Sequence, residues 1–267
     1  MERIAALCEK DQSARLSTVT DHKVFDGWTI AYAAARSGDG PRRLPAVDSK
    51  VTKNLLAEEK KMRITVLGAT GSVGRHVVDQ AVAEGHEITA LVRDAGKLPA
   101  RPGVTVVEGD ATVPADVARA VDGADAVVVA LGAGRAAGVR EAGTRTAIEA
   151  MRQGGVRRLV CLSTLGAGET RDNLNFVWKY MLFGLLLRKA YADHQRQEDV
   201  VRASGLDWTL VRPSAYTDGP RTGAYRYGFG ADATGLTLKV SRADVADAIL
   251  RAVTDHDRIG RAVSVSY

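Results

Sequence analysis

The chain has 267 residues, 45% of them apolar and 26% charged, with 37 basic against 32 acidic side chains and a formal net charge of +5. That composition excludes wholesale disorder, and the length suits one ample α/β domain, or a domain with an appendage, that buries a core without staples. The excess charge is spread along the chain, 11 basic and 9 acidic residues in 1–61 against 26 and 23 in 62–267, so nothing marks a nucleic-acid partner.

Residues 1–61 show little periodicity and are broken by Gly27, Gly38, Gly40, Pro41 and Pro45. Short helices are expected near 4–10 and 28–36, and a solvated helix over 51–61. No chemistry-bearing motif falls here, and the stretch reads as an irregular N-terminal extension. Glu58-Glu59-Lys60-Lys61 stands just before Met62, which opens directly onto the apolar run that follows. Purine-rich Glu and Lys codons upstream of a Met look like a translated ribosome-binding site. This pattern predicts a native start at Met62.

From Met62 onward the pattern changes. Apolar runs at 64–67, 87–92, 104–107, 124–131, 158–162 and 208–211 are rich in Val and Ile and lack polar alternation. That suits strands buried on both faces of a parallel sheet. Helix-period segments lie between them at 73–84, 115–121, 140–153 and 194–203. Gly85, Gly123, Gly154 and Gly205 fall where those helices should stop. Ser241-Arg242-Ala243-Asp244 opens a helix over about 243–253 with a hydroxyl cap and an acid three residues later, close to a capping box. A last strand follows at 262–266. Alternating strands and helices predict a Rossmann-like, doubly wound parallel sheet in a single domain, 62–267.

The two cysteines, Cys8 and Cys161, offer neither a disulfide scaffold nor a metal spacing. A reducing cytoplasm is the expected setting, and no metal site is expected. The apolar run 4–8 is too short for a signal peptide. The longest apolar run, 180–187, is far below the roughly 18 residues of a membrane span.

The main chemical signal is Gly68-Ala69-Thr70-Gly71-Ser72-Val73-Gly74, directly after the first core strand and directly before a helix. This is the context a dinucleotide fingerprint requires. Gly68 permits the tight turn, Gly71 lets a backbone amide approach a pyrophosphate, and Gly74 lets the helix pack close to the sheet. The helix N-terminus then meets the phosphates with free amides and the positive end of its dipole. The second strand ends in Arg93 and Asp94, with Lys97 one turn on. Two cations there suit a 2′-phosphate, whereas Asp94 would suit a ribose hydroxyl. NADP(H) is therefore the expected cofactor, with NAD(H) the alternative.

These stretches, with several others, resemble the atypical short-chain dehydrogenase/reductase superfamily. The likeness is to the NAD(P)H-binding group that contains biliverdin-IXβ reductase, also called flavin reductase, and the NmrA-like proteins. It covers about residues 63–267. The glycine fingerprint and Leu91-Val92-Arg93-Asp94 carry it. So do Glu108-Gly109-Asp110 with Ala111, which resemble the turn near the adenine. Leu131-Gly132 resembles the strand end beside the cofactor. Ser204-Gly205-Leu206 and Val211-Arg212-Pro213 resemble the segment leading to the nicotinamide edge. The resemblance implies hydride transfer from NADPH to a planar conjugated small-molecule acceptor such as a flavin or quinone. Ser163, at the carboxyl end of a strand, matches the family's serine beside the nicotinamide. It is expected to bond the carboxamide or donate to the acceptor, with Thr164 a second candidate. A monomer or weak homo-oligomer is implied.

The chain departs from most of the superfamily in lacking a Tyr with a Lys four residues later. Tyr180 is followed at that spacing by Gly184, and Tyr191 by Gln195. Judged by its distance from Ser204, His194 takes the lysine place, and it joins the candidate catalytic residues. The missing dyad argues against alcohol oxidation and epimerisation. Ser214 follows Pro213 where biliverdin-IXβ reductase has a histidine, which removes support for a tetrapyrrole substrate. The aromatic-rich run 174–187 is expected to be a helix docked on the core or an apolar lid over the acceptor. The alternative to a reductase is an NADP(H)-sensing regulator or scaffold without turnover.

Overall fold

The computed structural model describes residues 19–25, 28–33, 61–132, 138–168, 188–230 and 232–267. The chain divides into two compact units, Met1–Lys60 and Lys61–Tyr267. In the first, β1 (Val19–Phe25) and β2 (Trp28–Ala33) pair antiparallel. The helix expected near 28–36 is therefore a strand over Trp28–Ala33. Trp28, Thr29, Ile30 and Tyr32 are strong strand formers, and Asp26-Gly27 between the two runs is a hairpin signal. The helix expected near 4–10 lies outside the described residues, as does that over 51–61 except for Lys61.

In the second unit, strands and helices alternate as β3 (Arg63–Leu67), α1 (Gly74–Ala83), β4 (Glu87–Val92), β5 (Val104–Glu108), α2 (Pro114–Val121) and β6 (Ala126–Val129). There follow α3 (Val139–Gln153), β7 (Arg158–Leu162), α4 (Arg188–Arg202) and β8 (Asp207–Pro213). The chain closes through the short strands β9 (Ala215–Thr217), β10 (Arg226–Tyr227) and β11 (Lys239–Ser241), then α5 (Arg242–Thr254) and β12 (Arg261–Ser266). The main sheet has the order β10-β12-β8-β7-β6-β3-β4-β5. Its neighbours are parallel except β10, which runs antiparallel to β12. β9 and β11 make a separate parallel pair. The strand order reverses between β3 and β6, and such a reversal opens a crevice at the carboxyl ends of the strands.

Side-chain alternation splits the core into two layers. Ile64 and Val66 of β3 pack with Val77, Val78 and Ala81 of α1 and with the apolar face of α5. Leu67 packs on the other face, with α2, α3 and Val201 of α4. Thr65 also points that way, and its buried hydroxyl donates to the Ala120 carbonyl at 2.6 Å. The sheet thus carries helices on both faces, as its Val- and Ile-rich strands require.

The last helix is fastened at both ends. Ser241 caps it, its hydroxyl accepting from the Asp244 amide at 3.0 Å. The Asp244 carboxylate does not reach back in a capping box. It accepts instead from the Thr222 and Gly223 amides at 2.7 and 2.9 Å and from the Tyr267 hydroxyl at 2.6 Å. At the other end, the buried Arg158 donates to the Val253 carbonyl at 3.1 Å and also to that of Ala252. It thereby satisfies carbonyls that a helix C-terminus leaves unpaired. No described helix is long and apolar enough to cross a membrane.

Candidate functional site

After β3 the chain turns at Gly68, whose φ of +90° excludes most side chains. A Cβ there would stand 2.5 Å from the Ala130 carbonyl oxygen, just beyond β6. A Cβ on Gly74 would stand 2.1 Å from the Gly68 oxygen. Only a hydrogen at that position lets α1 start so close to the strand end. The Gly71 amide closes the turn on Gly68 O at 2.9 Å. Ala69 is fully buried beneath the turn, and Thr70 is partly covered. No side chain caps α1 at Val73, and no acid occupies its first turn. The Arg75 amide in that first turn donates to Gly71 O at 3.1 Å, and the positive end of the helix dipole is left to meet an anion. Gly71, Ser72 and Val73 border a cavity of about 390 Å³, within the range of ligand pockets. These residues fit a dinucleotide pyrophosphate.

The groups at the expected adenosine end separate by partner. Arg93 is exposed and makes no ion pair among the described residues. The Asp94 carboxylate accepts from the Gly96 amide at 3.0 Å and lies 3.4 Å from Lys97 Nζ. It is therefore committed to its own turn, and it shares Lys97. Asp110 accepts from the Thr112 amide and hydroxyl at 2.8 and 2.7 Å. Those bonds, with a smaller contribution from Arg93, hold its carboxyl below the usual range. Ala111 packs against the α2–α3 layer of the core.

The cavity continues from this cradle past Leu131 and Gly132 to a wall made by Thr164, His194 and Pro213. Ser163 is not on that wall. Its side chain is fully buried, and its hydroxyl donates to Glu198 Oε1 at 2.6 Å. Arg212, also fully buried, donates through Nε to the same oxygen at 2.9 Å and through Nη2 to Oε2 at 2.5 Å. Successive residues at a strand end point to opposite sides. Leu162 and Thr164 face the cavity, so Ser163 faces the interior.

His194 sits on α4 with its Nδ1 buried and without a hydrogen-bond partner. Burial, then the charge of Arg140, pushes its pKa down to about 3, so the imidazole is neutral near pH 7. Lining residues that the sequence reading did not name as site residues include Arg140, Tyr191, Ser214 and Tyr216. Tyr191 lies three residues before His194, on the same helix face, a signal open to reading. Its hydroxyl donates to the Gly166 carbonyl at 2.7 Å and accepts from Gln195 at 3.3 Å. Arg140 and Tyr216 reach the cavity from elements distant in sequence. The run 174–187, expected to dock on the core or cover the acceptor, lies outside the described residues. Among the described residues no cluster of His, Cys, Asp and Glu could hold a metal ion.

Comparison with known proteins agrees with this geometry. Residues 68–256 match the NAD(P)H-binding family. The chain is 27% identical over 215 residues to the uncharacterized sugar epimerase YhfK of Bacillus subtilis, covering 77% of this chain and 94% of that protein. It is 32% identical over 212 residues to the (4-alkanoyl-5-oxo-2,5-dihydrofuran-3-yl)methyl phosphate reductase of Streptomyces griseus, covering 76% of this chain and 67% of that protein. Among solved structures, ChuY, an anaerobillin reductase from Escherichia coli O157:H7, superposes with a TM-score of 0.65 at 26% identity, over 76% of this chain and 96% of that one. The chain belongs to the NAD(P)H-binding family.

Proposed function

We propose that residues 62–267 form an NADPH-dependent reductase that passes hydride to a planar conjugated acceptor, such as a flavin or quinone. One observation carries the reading: a single cavity runs from the Gly71–Val73 cradle to the wall of Thr164, His194 and Pro213. A nicotinamide and an acceptor would therefore share one largely apolar space, with Leu131, Leu162, Leu165 and Leu238 on its walls. That arrangement holds two reactants together and excludes water, which is the protein's share of hydride chemistry. The identified reductases among the relatives support the same class of activity.

NADPH supplies the hydride when bound. The chain's residues orient and enclose the reactants. Thr164, whose hydroxyl donates to the Leu165 carbonyl at 3.3 Å, and the neutral His194 stand at the cavity wall. No carboxyl group lines the cavity among the described residues, so the proton that completes the two-electron reduction is assigned to solvent. Preference for NADPH over NADH is assigned to Arg93, assisted by Lys97, because Asp94 is engaged within its own turn. The sparse cysteine content supports a reducing, cytoplasmic setting.

NADPH oxidation assayed with FMN, FAD, menadione and dichlorophenolindophenol tests the reading. Turnover with at least one acceptor is expected. No turnover with any, together with tight NADPH binding, would instead identify a cofactor sensor.

A further inference from the structure

We infer that the acceptor end of the cavity is an anion site: Arg140 receives a carboxylate or phosphate carried by the planar acceptor. The inference rests on the reductase reading and names a property of the substrate that this reading leaves open.

Arg140 is the one formally charged side chain among the described residues lining the cavity, given a neutral His194. Its side chain is only 12% exposed, and its Nε is buried without a hydrogen-bond partner. The guanidinium meets Asp193 through one nitrogen alone, at 3.5 Å. A committed pair is shorter and two-pronged, and this protein contains one in Arg212 and Glu198, at 2.9 and 2.5 Å. Arg140 is therefore held near the cavity without being saturated.

The surrounding charge points the same way. Asp193 is shared with Arg196 at 3.9 Å, and Glu141 takes both Arg196 at 2.9 Å and Arg145 at 3.1 Å. Three arginines face two carboxylates, which leaves one positive charge uncompensated within the group. Two further polar atoms on the cavity wall are buried and unpartnered, Ser214 Oγ and His194 Nδ1. Leaving such groups unpaired is costly, and an oxyanion in the cavity would pair with the part of the Arg140 guanidinium that stays reachable, within the 12% of its side chain that is exposed. The cofactor's pyrophosphate is the other possible anion. Its cradle is at Gly71–Val73, whereas Arg140 acts electrostatically on His194 and Tyr216, from α4 and β9.

The test uses the full chain with NADP⁺ bound and two flavins that differ by one phosphate. Fluorescence titration is expected to show FMN binding about tenfold more tightly than riboflavin, roughly the worth of one charge-assisted hydrogen bond. Arg140→Met should bring the two within about twofold, and Arg140→Lys should retain part of the preference. NADPH affinity, measured in the same variants, reports that they are folded. Equal binding of the two flavins by the wild type, binding of neither, or a preference that survives Arg140→Met overturns the site. Loss of NADPH affinity in step with FMN assigns Arg140 to the cofactor and also overturns it. Reduction of menadione, which carries no anion, tests the reductase reading separately.

Discussion

Arg93 and His194 show how one side chain sets a measurable property. Arg93 is exposed after β4 with no ion pair among the described residues, so a 2′-phosphate there would be its partner. Arg93→Ala should weaken NADPH about tenfold and change NADH less than twofold, since NADH lacks that phosphate. Titration of each cofactor checks this, and equal loss for both would remove the assignment. His194 makes a prediction in pH. An unfolded chain protonates this imidazole near pH 6.5, while the folded one holds it neutral down to about 3. The stability contributed by the neutral form is complete above about 6.5 and is lost as pH falls toward 3. The slope is at most about 1.4 kcal/mol per pH unit. His194→Gln should flatten that limb in urea unfolding at pH 6.5, 5.5 and 4.5. A slope identical to the wild type would show that other groups set it. The glycine cradle was legible because its role is a matter of backbone space. The orientation of Ser163 was not, because parity at a strand end depends on which face the neighbouring helix covers.

Among the elements, the network of Glu198, Arg212 and Ser163 joins α4, β8 and the end of β7. Both charged side chains are nearly inaccessible, 4% and 0% exposed. Arg212→Leu removes both guanidinium bonds and should cost about 3–5 kcal/mol in urea unfolding, since it strips a buried carboxylate of its main partner. Ser163→Ala should cost less, about 1.5–3 kcal/mol, the worth of one hydrogen bond to a carboxylate. A small loss in the first variant would mean that water reaches Glu198. The long strands and helices of the sheet were readable because burial on two faces leaves apolar runs without alternation. α4 was expected from 194 but begins at Arg188. β9, β10 and β11 were missed altogether. Strands of two or three residues carry no period of their own; partners far along the chain define them. β2 was read as helix although Trp28, Thr29, Ile30 and Tyr32 favour a strand and Asp26-Gly27 marks a hairpin, local signals that its pairing with β1 bears out.

At the scale of the whole chain, the two units are Met1–Lys60 and Lys61–Tyr267, and every residue of the candidate site belongs to the second. Saturating NADPH, at about one hundred times its Kd, should therefore raise the unfolding free energy of that unit by about 2.7 kcal/mol. Calorimetry with and without the cofactor checks this, and an unshifted transition would remove the cofactor reading. Sequence alone determined the doubly wound α/β architecture, the tight glycine turn between β3 and α1 and the pair of cations beyond β4. Each of these is written in local spacing: glycines within one turn, apolar runs of strand length, charges at a strand end. Only the tertiary structure decided what stands across the cavity from the cradle. Arg140, Tyr191, Ser214 and Tyr216 come from α3, α4 and the segment after β8, and the sheet brings their ends together. Parallel pairing aligns the carboxyl ends of strands that are far apart in the chain, so the chemistry of the cavity depends on long-range register that no local pattern contains.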